Sequence, residues 1–137
     1  MKRILAAYDG SEYANKAFAM ALDLAVKYGA EMLVLAVARP PDIGNDIETE
    51  AVIANSKKHC HEMLKPLHPP AATSGVAVQF QVVVGHPAEQ IVRHADEWGA
   101  DLIVVGHRGR TFFEHWLIGS IARRVMAHAS CAVLVAR

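Results

Sequence analysis

Several features that mark a function class are scarce or missing from this chain. Cysteine occurs only at Cys60 and Cys131, with no Cys-x-x-Cys, which argues against a disulfide framework or a redox pair. The apolar runs are strand-sized, far below the ~20 residues of a membrane span. Met1-Lys2-Arg3 leads straight into such a run rather than into a signal peptide, so a cytoplasmic protein with no membrane contact is expected. Net charge is absent too. Fourteen Lys and Arg balance fourteen Asp and Glu, so no global field draws nucleic acid, and the balance favours a small ligand or a protein partner. There is no Gly-Lys-Ser/Thr of a Walker loop and no Gly-x-Gly-x-x-Gly after a strand.

What is present is a chain of 137 residues that is 53% hydrophobic and 20% charged, suited to one globular domain over residues 1–137. Apolar strand-like runs alternate with helix-period stripes. Residues 4–8, 32–38, 76–84, 102–105 and 132–135 read as strands, and residues 11–28, 48–65, 87–98 and 121–129 as helices. Gly29 and Gly99 end two of the helices, Pro87 opens one, and Pro66 marks where the second helix must fail. Residues 40–47 and 69–75, rich in proline and small residues, read as loops. Strands apolar throughout imply an α/β domain with a mostly parallel sheet of about five strands and about four helices on both faces.

The stretch from Gly106 to Ser120 carries the chemistry. It follows a buried strand and leads into a helix. Its glycines 106, 109 and 119 would allow positive φ and close approach to a ligand, and Ser120 adds a hydroxyl where the helix begins. Free amides at a helix start suit a phosphate. Arg123 and Arg124 follow within that helix's start, where cations are unfavourable by ~0.3–1 kcal/mol, and an anionic ligand would relieve that conflict; pairing with surface carboxylates would serve equally. At the other end of the chain, Asp9-Gly10-Ser11 places a carboxylate after the first strand, with Ser11 as helix cap. His59-Cys60-His61 is not a convergent metal set, because adjacent helical residues point ~100° apart, and solvated histidines are the simpler reading. His86 reads as a surface cap.

The spacing Gly-x2-Gly-x9-Gly-Ser over residues 106–120 resembles the nucleotide-binding signature of the universal stress protein family. Ile4-Leu5-Ala6-Ala7-Tyr8-Asp9-Gly10-Ser11, Gly85-His86-Pro87-Ala88 and Cys131-Ala132-Val133-Leu134-Val135 resemble three further family segments, in the family's order. The resemblance implies a doubly wound five-stranded sheet of order 3-2-1-4-5, with the ligand at the switch point between strands 1 and 4. It also implies an adenine nucleotide such as ATP, with or without Mg²⁺. Asp9 and Val37 would hold the nucleoside, and Gly106, Gly109, Gly119 and Ser120 would wrap the phosphates. Arg108 and Arg110 would serve as charge partners. His107 stands where the family often has a small hydroxyl residue, so it would stack or donate instead. Phe112, Phe113 and Trp116 would pack the loop onto the body or onto a second subunit.

The resemblance implies a homodimer through the C-terminal strand, whose apolar edge nothing charged blunts before Arg137. Three functions stay open: a nucleotide-binding stress-response module with an unknown protein partner, a dimeric interaction module that binds no nucleotide, and a slow ATPase or self-phosphorylating protein. The last would need Asp9 or His107 as base, with Ser11 or Ser120 as acceptor for self-phosphorylation.

Overall fold

In the computed structural model, described over residues 1–40, 47–108 and 117–137, each apolar run becomes a strand and each stripe a helix. The order is β1 (Arg3–Ala7), α1 (Glu12–Tyr28), β2 (Glu31–Ala38), α2 (Ile47–Leu64), a 3-10 turn (Lys65–Leu67), α3 (His68–Thr73), β3 (Val78–Val84), α4 (Pro87–Trp98), β4 (Leu102–Gly106), α5 (Ser120–His128) and β5 (Ala132–Ala136). All pairings are parallel, and the sheet order is β3-β2-β1-β4-β5. This is the doubly wound arrangement expected above. Ile4 sits in register between Met32 and Leu102, so β1 is central.

Strand alternation divides the core into two layers. Ile4, Ala6, Met32, Val34 and Val104 face α1, α2 and α3, where Ala17, Ala21 and Ala25 let α1 lie close to the sheet. Leu5, Leu33, Leu35, Ile103 and Val105 face α4 and α5, meeting Ile91, Ala95, Ala122 and Val125. Burial on both faces is why these strands show no polar alternation. Gly29 and Gly99 end α1 and α4 in the left-handed conformation, as their placement predicts.

One expected loop is helical instead. Residues 69–75 were expected to be a surface loop, yet His68–Thr73 forms α3 directly after the 3-10 turn. Proline's fixed φ suits the first turn of a helix, where its missing N–H costs nothing, so Pro66 and Pro69 begin turns rather than forbid them. Burial of Ala71 against the first core layer holds the short helix down. Among the described residues, no helix is long and apolar enough to cross a membrane.

Candidate functional site

β1 and β4 are neighbours, but the chain leaves them toward opposite faces, into α1 and α5. Between the two departing connections a cavity of about 800 Å³ opens at the carboxyl edge of the sheet among the described residues. Asp9, Val37, Gly106, Arg108, Gly119 and Ser120 all line it, although Asp9 and Ser120 lie at opposite ends of the sequence.

The β1 side of the cavity is tied down within the chain. The Asp9 carboxylate accepts the Ser11 N–H at 2.9 Å, and Ser11 Oγ accepts the Ala14 N–H at 3.1 Å. Tyr8 donates its hydroxyl to Asn15 Oδ1 at 2.5 Å, and burial, with the Asp9 charge in second place, pushes its phenol pKa up. At Gly10, φ is +82°, and a β-carbon would lie 2.6 Å from Met63 Sδ. The turn therefore needs glycine on both counts.

The β4 side differs from the sequence reading. Gly106 does not have positive φ, and Gly119 is extended at φ −65° and ψ 157°, so neither uses left-handed backbone. Gly106 is required for space: a β-carbon would meet Tyr13 Cβ at 2.8 Å and the Tyr13 carbonyl carbon at 2.9 Å. The end of β4 thus packs directly on the first turn of α1. Gly119 is the N-cap of α5, with no side-chain cap bond, and Ser120 is the first helical residue. Gly109, Arg110, Phe112, Phe113 and Trp116 lie outside the described residues.

His107 is not brought to the cavity. Its side chain is outside the lining and the residue is only 3% exposed, its N–H donates to the Ala136 carbonyl at 2.6 Å, and its carbonyl accepts the Gly119 N–H. Burial first, then the charges of Arg137 and Arg108, hold the imidazole pKa below its usual value. The backbone of His107 thus ties the end of β4 to β5 and to the approach to α5. Arg108 does line the cavity. Its Nη2 donates to Tyr13 Oη at 2.7 Å, with the guanidinium 4.9 Å from the Tyr13 ring centre.

The sequence reading missed the wall opposite the glycines. Asn55, Ser56, His59 and Met63 of α2 line the cavity, as does Arg39 after β2. The available signal was the spacing of 55, 59 and 63, one row along a helix. Cys60 is buried in that wall, whereas Cys131 is half-buried elsewhere, its thiol pKa pushed up by burial. Among the described residues, no three His, Cys, Asp or Glu side chains are grouped to hold a metal.

An uncapped helix start, an aspartate, two arginines and an apolar strand end facing one concave space can hold a ligand with both an anionic and a flat apolar part. Comparisons with known proteins agree with this architecture. The model of the universal stress protein family matches residues 1–137. A universal stress protein encoded in the QAH/OAS sulfhydrylase 3′ region of Thermus aquaticus is 37% identical, covering 99% of this chain and 98% of its own. Universal stress protein MJ0531 of Methanocaldococcus jannaschii is 34% identical, covering 99% and 82%. Among solved structures, universal stress protein UspA from Lactobacillus plantarum superposes with a TM-score of 0.91 at 25% identity, covering 99% and 97%. A universal stress protein solved in complex with cAMP has a TM-score of 0.77 at 23% identity, covering 99% and 97%, a likeness of fold.

Proposed function

Because the chain belongs to the universal stress protein family, we propose that it is an adenine-nucleotide-binding module that acts as a homodimer in stress signalling. The observation that carries this reading is the start of α5: it opens into the cavity with no capping side chain and no acidic residue in its first turn. Amides in that position favour an anion by ~0.3–1 kcal/mol through the helix dipole, and each charge-assisted hydrogen bond adds ~1.5–3 kcal/mol. Those bonds outweigh the unfavourable placement of Arg123 in the same helix.

In this reading Ser120 and the first amides of α5 hold the phosphates, Arg108 faces them, and Val37 with the α2 wall encloses the nucleoside. Gly109 completes the phosphate loop. The cavity volume falls within the ~300–1,000 Å³ usual for small-ligand sites. ATP fits the residues present, and Mg²⁺ would be held mainly by its phosphates, with Asp9 as the carboxylate lining the cavity. Binding without turnover is favoured over an ATPase, since His107 lies outside the lining and Asp9 is engaged by Ser11. The dimer would form along the free edge of β5, where Val133, Leu134 and Val135 are only half-buried.

Native mass spectrometry of the purified protein, without and with Mg-ATP, tests both parts. A dimer that gains nucleotide mass is expected. A protein that stays bare at millimolar Mg-ATP would leave the nucleotide-free interaction module as the better account, and a monomer would remove the role given to β5.

A further inference from the structure

The cavity does not end at Ser120. A second groove, of about 920 Å³, runs between α4 and α5 and shares Arg39, Pro87, Ser120 and Ile121 with the first. The two spaces therefore meet where both helices begin. Neither N-cap residue there, His86 or Gly119, makes a side-chain cap bond. The α5 start has no acidic residue in its first turn either, whereas α4 begins with Pro87 and carries Glu89, so the positive partial charge at the junction comes from α5.

The side chains add to it. Arg39 lines both spaces, and Arg124, one turn beyond Ser120, lines the groove. Side chains on a helix lean toward its N-terminus, so the Arg124 stem inclines toward the junction. Among the described residues, neither Arg39 nor Arg124 is in an ion pair. The groove's carboxylates are committed elsewhere. Glu97 pairs with Arg93 at 3.2 Å, Asp96 accepts the Ser130 hydroxyl, and Glu89 sits in the first turn of α4, where its own helix stabilises it.

We propose that this junction is a subsite for the far end of a polyphosphate chain. Arg124 and Arg39 take the phosphates that extend beyond the one seated on the α5 amides, so the protein binds triphosphates in preference to monophosphates. The inference rests on the nucleotide reading above and adds to it a discrimination by chain length. Guanidinium forks suit phosphate oxygens, and their position past Ser120 is one a monophosphate does not reach.

Calorimetric titration with AMP, ADP and ATP, on the wild type and on Arg124→Ala, Arg124→Lys and Arg39→Ala, tests this. The wild type should prefer ATP to AMP by about tenfold or more, the equivalent of one charge-assisted hydrogen bond. Arg124→Ala should lose about that factor for ATP while AMP binding stays within about twofold, which also shows that the variant is folded. Arg124→Lys should recover part of it, since the charge returns without the fork. Arg39→Ala should show the same selective loss. Equal wild-type affinity for AMP and ATP, or parallel losses for both ligands, would overturn the subsite while leaving the nucleotide site standing. A wild type that binds none of the three would overturn the nucleotide reading and the subsite together.

Discussion

α1 and α5 both begin at the same crevice, yet the chain completes one start and leaves the other open. At α1, Ser11 caps the amide of Ala14, Asp9 holds the amide of Ser11, and Glu12 supplies an acidic residue in the first turn. At α5 the cap is a glycine, no acid follows, and Arg123 comes within four residues. A helix start satisfied from within contributes the same stability with or without ligand. An open one ties part of the fold's stability to whatever occupies it, by ~2.7 kcal/mol when ligand is at a hundred times its dissociation constant. The sharpest way to break this contrast is to give α5 a cap of its own.

Gly119→Asp should do so with the largest effect. The backbone at Gly119 is extended, which any residue adopts, so its carboxylate can accept the amides of Ile121 or Ala122. Stability of the free protein should rise by ~0.5 kcal/mol. Nucleotide affinity should fall by about a hundredfold or more, because the phosphates lose amide donors and meet a negative charge. Thermal unfolding and calorimetric titration read the two quantities separately, and unchanged affinity would refute the role given to the open start.

Gly106→Ala comes next and acts on how the two sides of the crevice are joined. Its methyl would press on Tyr13 Cβ and backbone within 3 Å, so α1 must shift. A loss of ~1–3 kcal/mol in urea unfolding is expected. An alanine variant as stable as the wild type would show that the α1 start is not held by contact with β4.

A matched pair then sharpens the comparison at smaller scale. Ser11→Ala should cost ~1 kcal/mol of stability and change nucleotide affinity by less than about twofold. Ser120→Ala should do the reverse, with stability within ~0.5 kcal/mol and affinity several-fold weaker, because Ser120 lines the cavity and is not the residue that caps the helix. If both substitutions moved stability and neither moved binding, the two starts would be equivalent after all.

Which parts of this could be read in the sequence follows from what each feature depends on. Central strands such as Met32 to Ala38 betray themselves because burial on both faces leaves no polar position, and the left-handed stops at Gly29 and Gly99 are local. The functions of the site glycines were not local. Gly106 is small because Tyr13, 93 residues earlier, packs on it. His107, placed at the site by the family resemblance, is buried outside the cavity lining, its backbone N–H held by the Ala136 carbonyl from the far end of the chain. Asn55 and His59 reach the cavity because α2 packs over β2 and β3, a tertiary fact with no mark in the spacing of residues 106–120.

The opposite edge of the sheet offers the smallest test of the same contrast, since there too the chain supplies its own anion. Asp101 Oδ2 accepts the amides of Lys2 at 2.6 Å and Arg3 at 2.9 Å. These two bonds, the Lys2 amide first, hold its carboxyl below the usual aspartate pKa. A folded-state pKa depressed below the unfolded one means the native state is favoured when the group is ionised. That stability is present above about pH 4 and is lost as pH falls through the folded value. The carboxylate is exposed, so solvent keeps the effect small. Asp101→Asn keeps one acceptor oxygen and removes the charge, so it should be slightly less stable than the wild type at pH 7. The difference should close on acidification below about pH 4. Parallel pH profiles for the two proteins would show that these amides gain nothing from a carboxylate, in contrast to the role proposed for an external anion at α5.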